Sequence, residues 1–191
     1  SFFGFDYSFP RLNLANINFK KRNFYPKLFL SDMEQIGLKS NSVDIIYTNH
    51  SLEPNGGREE VILKEFLRVT NKYLILFEPI YELNPKKNKF RMDKFGYIKN
   101  LYKICKKLDC KILEYKLLNF PMSPKNLTGV IILKKNKSRK EKLDYRCVLT
   151  NLKLSKKKEY YLNKEIGIIY PIIKNIPILR KESAILSPNL K

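Results

Sequence analysis

Four short apolar runs, at residues 2–5, 27–30, 43–47 and 73–77, are each bounded by polar segments and each too brief for a helix, so they read as buried strands. Between the last two, residues 59–69 have helical spacing, with Val61, Ile62, Phe66 and Val69 on one face and charges on the other. Strands that alternate with helices imply a parallel sheet. The fold class expected is therefore α/β.

After Pro79 the pattern changes. Residues 84–89 are polar and read as a lid or loop, and a helix is expected over about 94–107, turning Tyr97, Leu101, Ile104 and Cys105 inward. Two more strands, 111–118 and 129–133, flank a turn-rich stretch at 119–124 in which Pro121 and Pro124 exclude a helix. The basic run 134–142 reads as a solvated linker, with a nucleic-acid arm as the alternative. Beyond it, short strands at 159–162, 167–170 and 176–179, punctuated by Pro171 and Pro177, make a small β-rich appendage.

At 191 residues, 43% hydrophobic and 13% aromatic, the chain can bury a core and is not composed like a disordered protein. Lys+Arg 38 against Asp+Glu 18 leaves a formal charge of +20, a field that attracts phosphate backbones and anionic membranes. The excess is mostly lysine beside abundant Asn and Ile, which an AT-rich genome produces whatever the function. Scattered lysines solvate a surface without building a site. Cys105, Cys110 and Cys147 form no Cys-x-x-Cys pair, which argues against a secreted disulfide scaffold and makes a reducing cytoplasm the expected location. No apolar run approaches the roughly 20 residues of a membrane span. The opening run 1–5 lacks Met and reads as the middle of a domain, so a further segment is expected upstream.

In open α/β sheets, ligands bind in the crevice beyond the carboxyl ends of the strands. Asp6 ends the first run, where a carboxylate accepts two hydrogen bonds from a ribose diol or caps a helix starting near Phe9 or Pro10. Asp32 follows the second run; it can accept from an exocyclic amine while Met33 packs on a flat ring, although a plain turn explains the same residues. The third run leads into the densest polar cluster, Thr48-Asn49-His50-Ser51-Leu52-Glu53-Pro54-Asn55. His50 is the only histidine and can take a proton from an attacking hydroxyl or amine, or be structural. Glu53 and Glu78 are candidates for binding substrate or capping helices, and Gly56-Gly57 reads as a tight turn rather than a phosphate cradle.

In this order and spacing, these pieces resemble the second, third and fourth strands of class I S-adenosylmethionine-dependent methyltransferases. Asn41-Ser42-Val43-Asp44-Ile45-Ile46-Tyr47 followed by His50-Ser51-Leu52-Glu53-Pro54-Asn55-Gly56-Gly57 looks like a bacterial branch often encoded near surface-glycan genes. The likeness continues through residues 63–69, Phe77-Glu78-Pro79 and Arg91-Met92-Asp93-Lys94-Phe95-Gly96-Tyr97. It implies a Rossmann-like methyltransferase domain over 1–135, lacking its first strand and glycine-rich turn. It also implies that Asp6 holds the ribose hydroxyls of S-adenosylmethionine, Asp32 the adenine amine and Met33 the adenine face. Asn49 and His50 would line the methionine end.

After a linker at 136–144, residues 145–191 are similar to a small zinc-ribbon family that includes a methyltransferase activator subunit. Its two ligand pairs would fall at Cys147 with Thr150 and at Asn163 with Ile166, so one of four ligands remains and no zinc is expected. The function implied is methyl transfer to an oxygen or nitrogen of a small-molecule or sugar-linked acceptor. An RNA acceptor and a non-catalytic scaffold or regulatory subunit are the alternatives, and a homo-oligomer is left open.

Overall fold

The computed structural model describes residues 1–120, 125–136 and 138–187. Contacts group them into two compact units, Ser1–Lys39 with Lys142–Lys191, and Ser40–Glu141. The C-terminal segment thus groups with the first strands.

In the first unit, β1 (Phe3–Asp6) and β2 (Lys27–Ser31) pair in parallel, joined by α1 (Phe9–Lys21). Pro10 sits in the first turn of α1, where its missing N–H costs nothing, and Lys20 and Lys21 face the partial negative charge of the last turn. Leu12 of this helix is buried with Leu28, Leu30, Ile176 and Ile178, and Phe9, Ala15 and Phe19 pack against them. Each such aliphatic side chain contributes about 1.5–3 kcal/mol on leaving water.

The far edge of β2 is taken by β10 (Ile176–Leu179), again in parallel, with Ile178 opposite Leu30 and Leu179 opposite Ser31. From there the sheet continues antiparallel through β9 (Ile168–Ile173) and β8 (Tyr160–Asn163) to β7 (Ser155–Lys156), with β11 (Ile185–Leu186) also on β9. The Ser31 hydroxyl, fully buried, lies 3.3 Å from the Leu179 carbonyl. Gly37 is needed for this approach, because a Cβ there would stand 2.8 Å from the Leu179 side chain. The segment before β7 is anchored on the turn after β2: Arg146, also buried, donates from Nε to the carbonyls of Ile36 and Leu38, and Gln35 donates to the Val148 carbonyl. Among the described residues β1 has a strand partner on one side only.

The second unit holds a four-stranded sheet in the order β3-β4-β6-β5. Here β3 (Val43–Asn49) and β4 (Thr70–Pro79) are parallel, connected by α2 (Glu59–Val69), while β6 (Thr128–Lys135) is antiparallel to both β4 and β5 (Cys110–Leu117). The inward face of α2 is Ile62, Leu63, Phe66 and Val69; Val61, expected on that face, is 53% exposed, one residue out of the 3.6-residue phase.

Two expectations fail between β4 and β5. The polar stretch taken for a loop is helical, α3 (Lys86–Lys94), which buries Asn88 and Met92. The helix expected over 94–107 exists only as α4 (Leu101–Cys105), because Gly96 and Asn100 adopt left-handed backbone, with φ of +61° and +59°, which no helix continues through. Tyr97, Leu101 and Cys105 are nonetheless buried as expected. The turn expected at 119–124 lies partly outside the described residues, as does Lys137 in the basic run.

The start of that run belongs to the sheet. Lys135, at the end of β6, directs Nζ to the carbonyls of Leu67 (2.5 Å) and Thr70 (2.9 Å) and to Asn41 Oδ1 (2.5 Å), while burial pulls its pKa below the ordinary lysine range. Lys135→Ala strands three acceptors, so urea unfolding should show a loss of about 1–3 kcal/mol. An unchanged midpoint would mean that water replaces the ammonium without cost.

Candidate functional site

Because β1, β2 and β10 are parallel, their carboxyl ends share one end of the first unit's sheet, and the chemistry-bearing residues follow from that. Asp6 closes β1 opposite Leu30, and Asp32 comes directly after β2. Each carboxylate is oriented by its own backbone: Asp6 Oδ1 accepts from the Ser8 N–H at 2.7 Å, and Asp32 Oδ1 from the Glu34 N–H at 2.9 Å. This is the same two-residue Asx turn formed twice. It leaves Oδ2 of both carboxylates without a protein partner among the described residues. Asp6 thus shapes the entry to α1, whose N-cap is Ser8, and still presents acceptor lone pairs. The half-buried Met33 occupies the turn between Asp32 and Gln35.

A cation joins this end unannounced by any local pattern. Arg180, the residue after β10, stacks on Tyr7 with its guanidinium carbon 3.6 Å from the ring centroid, and also donates to the Tyr7 hydroxyl. Only the pairing of β10 with β2 brings position 180 to the ends of the first strands.

In the second unit, the loop leaving β3 is held from below by β4. Glu78 is fully buried and accepts from the Ser51 N–H on Oε1 (3.0 Å) and the Leu52 N–H on Oε2 (3.1 Å). These two bonds clamp the loop from below. Burial pushes the Glu78 carboxyl up to about 7, against the lowering effect of the Thr48 hydroxyl and the two N–H donors, with the Glu53 charge adding to the rise.

The clamped loop presents His50 in left-handed backbone, φ +50°, with its N–H bonded to the Phe77 carbonyl. Its Nδ1 lies 3.4 Å from Glu53 Oε2, and its Nε2 lies 2.8 Å from the Thr128 hydroxyl at the start of β6. Glu53 in turn accepts from Asn126 Nδ2 at 2.9 Å, and Asn126 lies 3.4 Å from the Tyr97 hydroxyl. Glu53 thus faces the imidazole on one side and the Asn126 amide on the other. A carboxylate at Nδ1 favours the tautomer protonated there and leaves Nε2 as the acceptor. Neither Asn126 nor Thr128 was foreseen, since β6 meets β3's loop only through the sheet.

Beside this group, Tyr47, Asn49, Phe77, Leu118, Phe120 and Thr128 line an open, mostly apolar cavity of about 330 Å³. Gly56 and Gly57 serve different needs. A Cβ on Gly56 would stand 2.5 Å from the Gly96 carbonyl oxygen, so the loop could not dock there, whereas Gly57 has open space and a φ of +89° that turns the chain toward α2.

In the other unit, three of the four positions that the zinc-ribbon resemblance assigns to ligands do come together. The Asn163 amide donates to the Thr150 hydroxyl at 2.8 Å, and Cys147 Sγ lies 3.3 Å from the Tyr170 hydroxyl. Burial alone would raise the Cys147 thiol, but hydrogen bonds from Thr150, Tyr170 and Asn163 outweigh it and bring the thiol below its ordinary range. Ile166 is 43% exposed. Among the described residues no group of three or more His, Cys, Asp or Glu is placed to hold a metal ion, and no helix is long and apolar enough to cross a membrane.

Residues 1–76 match the family model described as a methyltransferase domain. No curated protein matches the chain in sequence. Solved structures share its fold: a SAM-dependent methyltransferase from Methanosarcina mazei superposes with a TM-score of 0.58 at 17% identity, over 71% of this chain and 82% of that one. Magnesium protoporphyrin IX methyltransferase from Synechocystis PCC 6803, with bound SAH, gives 0.55 at 15% identity over 70% and 64% of the two chains. A SAM-dependent methyltransferase from Aquifex aeolicus gives 0.52 at 15% identity over 70% and 68%. The chain has the Rossmann-like α/β fold of these proteins.

Proposed function

We propose that the protein transfers a methyl group from S-adenosylmethionine to an oxygen or nitrogen of a small-molecule or sugar-linked acceptor. The observation that carries this reading is the pair of Asx-oriented carboxylates, Asp6 and Asp32, ending adjacent parallel strands in a segment that matches a methyltransferase domain. The residues fit the cofactor in kind. Oδ2 of Asp6 is available to the ribose hydroxyls, Oδ2 of Asp32 to the adenine amine, and the polarizable Met33 to the ring face. Asn49 is assigned to the methionine end.

The cofactor's sulfonium supplies an electrophilic methyl group. This chain's part is to position the acceptor and take its proton. An acceptor hydroxyl or amine entering the cavity lined by Thr128 replaces the Thr128 hydroxyl as the donor to His50 Nε2. The acceptor's proton would pass to His50 Nε2, and Glu53 would stabilise the imidazolium through Nδ1. We assign residues 145–191 to a zinc-ribbon-like module in which hydrogen bonds among Cys147, Thr150, Asn163 and Tyr170 stand in for the metal. The free cysteines fit a reducing cytoplasm.

Native mass spectrometry of the full-length protein purified without added ligand should reveal a fraction carrying the mass of S-adenosylmethionine or S-adenosylhomocysteine. Persistent absence of any shift, with added S-adenosylhomocysteine also leaving the spectrum unchanged, would remove the cofactor assignment.

A further inference from the structure

The parallel strands of the first unit have a second end. At their starts, some three to five residues back from the carboxylates along β1 and β2 and so roughly 10–16 Å from them, lies a cavity of about 520 Å³ within this unit alone. Its lining draws on the first residues of all three strands: Phe3 of β1, Lys27 and Leu28 of β2, Ile176 and Pro177 of β10. None of the residues assigned to methyl transfer lines it.

Two chemistries meet there. One wall is aromatic and built rigidly: Tyr145 packs edge-on against Phe3 (6.5 Å between centroids), Phe29 (5.5 Å) and Tyr161 (5.1 Å), three elements holding one ring. The rim is cationic. Lys20 from the last turn of α1, Lys27, Lys156 and Lys158 all line the cavity and are exposed, against one carboxylate, Asp144, which lies 3.8 Å from Lys153. Among the described residues none of the four rim lysines is ion-paired. On a surface with many lysines, four without an ion pair around one concave apolar wall, Lys27 with its ammonium 5.4 Å from the Phe3 ring centroid, differ from a solvated face. Like charges so placed repel one another, and a multiply charged anion relieves that repulsion. The volume falls in the range of small-molecule sites and is too confined for a duplex or an extended polymer.

We propose that this cavity is a second ligand site, distinct from the methyl-transfer site, for a small molecule joining a ring to a phosphate: an aryl or nucleoside phosphate. The ring lies on the wall made by Tyr145 and Phe3, and the phosphate is held by the rim lysines. Asn16 and Asn175, also in the lining, offer amide donors and acceptors to the ring's polar edge.

The test uses 1-naphthyl phosphate, which is fluorescent and bears no adenosine, titrated into the full-length protein. One-to-one binding is expected, undiminished by saturating S-adenosylhomocysteine and at least tenfold tighter than that of either 1-naphthol or inorganic phosphate. The double variant Lys27→Ala/Lys156→Ala should weaken it at least tenfold, whereas Lys86→Ala/Lys87→Ala, on the exposed start of α3, should leave it unchanged. Equal loss in both double variants would mean diffuse attraction to a basic surface and overturn the proposal. So would no binding, or competition by S-adenosylhomocysteine, or tight binding of a single-stranded RNA oligonucleotide alone. Both variants alter exposed side chains, so a fold defect, visible by circular dichroism, does not stand in for a lost site.

Discussion

Replacing His50 with asparagine should lower kcat for methyl transfer at least 100-fold while leaving the affinity for S-adenosylmethionine within a few-fold of its original value. Asparagine is chosen because position 50 has φ +50°, a conformation that asparagine tolerates better than alanine or glutamine would, so the loop keeps its path and only the base is lost. The magnitude is that of a positioned general base, typically 10²–10⁴-fold. Glu53→Gln should lose less, because it keeps a hydrogen-bonding group at Nδ1 but removes the charge that favours the imidazolium. If His50→Asn transfers methyl groups at the original rate, transfer proceeds by positioning alone and the imidazole is structural.

The second large effect is on stability against pH. The Glu78 carboxyl is raised to about 7 from an ordinary 4.5, chiefly by burial, so folding favours its protonated form. Its contribution is therefore complete below about pH 4.5 and is lost as pH rises through 7, a fall on the order of 3 kcal/mol across that window. Glu78→Gln is neutral throughout and should lack this slope. Subtracting urea unfolding curves of the variant from those of the original protein at pH 4.5 and 7.5 isolates the group from every other titration. Parallel slopes in the two proteins would show that Glu78 is ionised at both ends of the range, the charge being sustained by the Ser51 and Leu52 N–H groups.

What could be read from the sequence was what local periodicity encodes. The apolar runs located β1 to β4 to within a few residues, and the charged and apolar faces of residues 59–69 marked α2, because both patterns repeat within a single element. The strand-end positions of Asp6, Asp32, Asn49 and His50 followed from those runs. Helix α3 escaped notice because it is almost wholly polar and buries only Asn88 and Met92. The break at Gly96 and Asn100 is a backbone event that apolar spacing continues straight across. Other features are non-local. The parallel pairing of β10 with β2 joins Leu179 to Ser31, and it carries Arg180 to Tyr7 and opens the lysine-rimmed cavity. The contact between His50 and Thr128 likewise depends on β6 lying beside β4, which no pattern near position 50 specifies.

Calorimetric titration of the full-length protein with S-adenosylhomocysteine tests whether Asp6 and Asp32 grip adenosine. Saturable one-to-one binding is predicted, weakened at least tenfold by Asp6→Ala and by Asp32→Ala, the loss expected when a hydrogen bond to a charged group, worth about 1.5–3 kcal/mol, is removed. Affinity unchanged by both substitutions, or no heat of binding in the original protein, would contradict that grip.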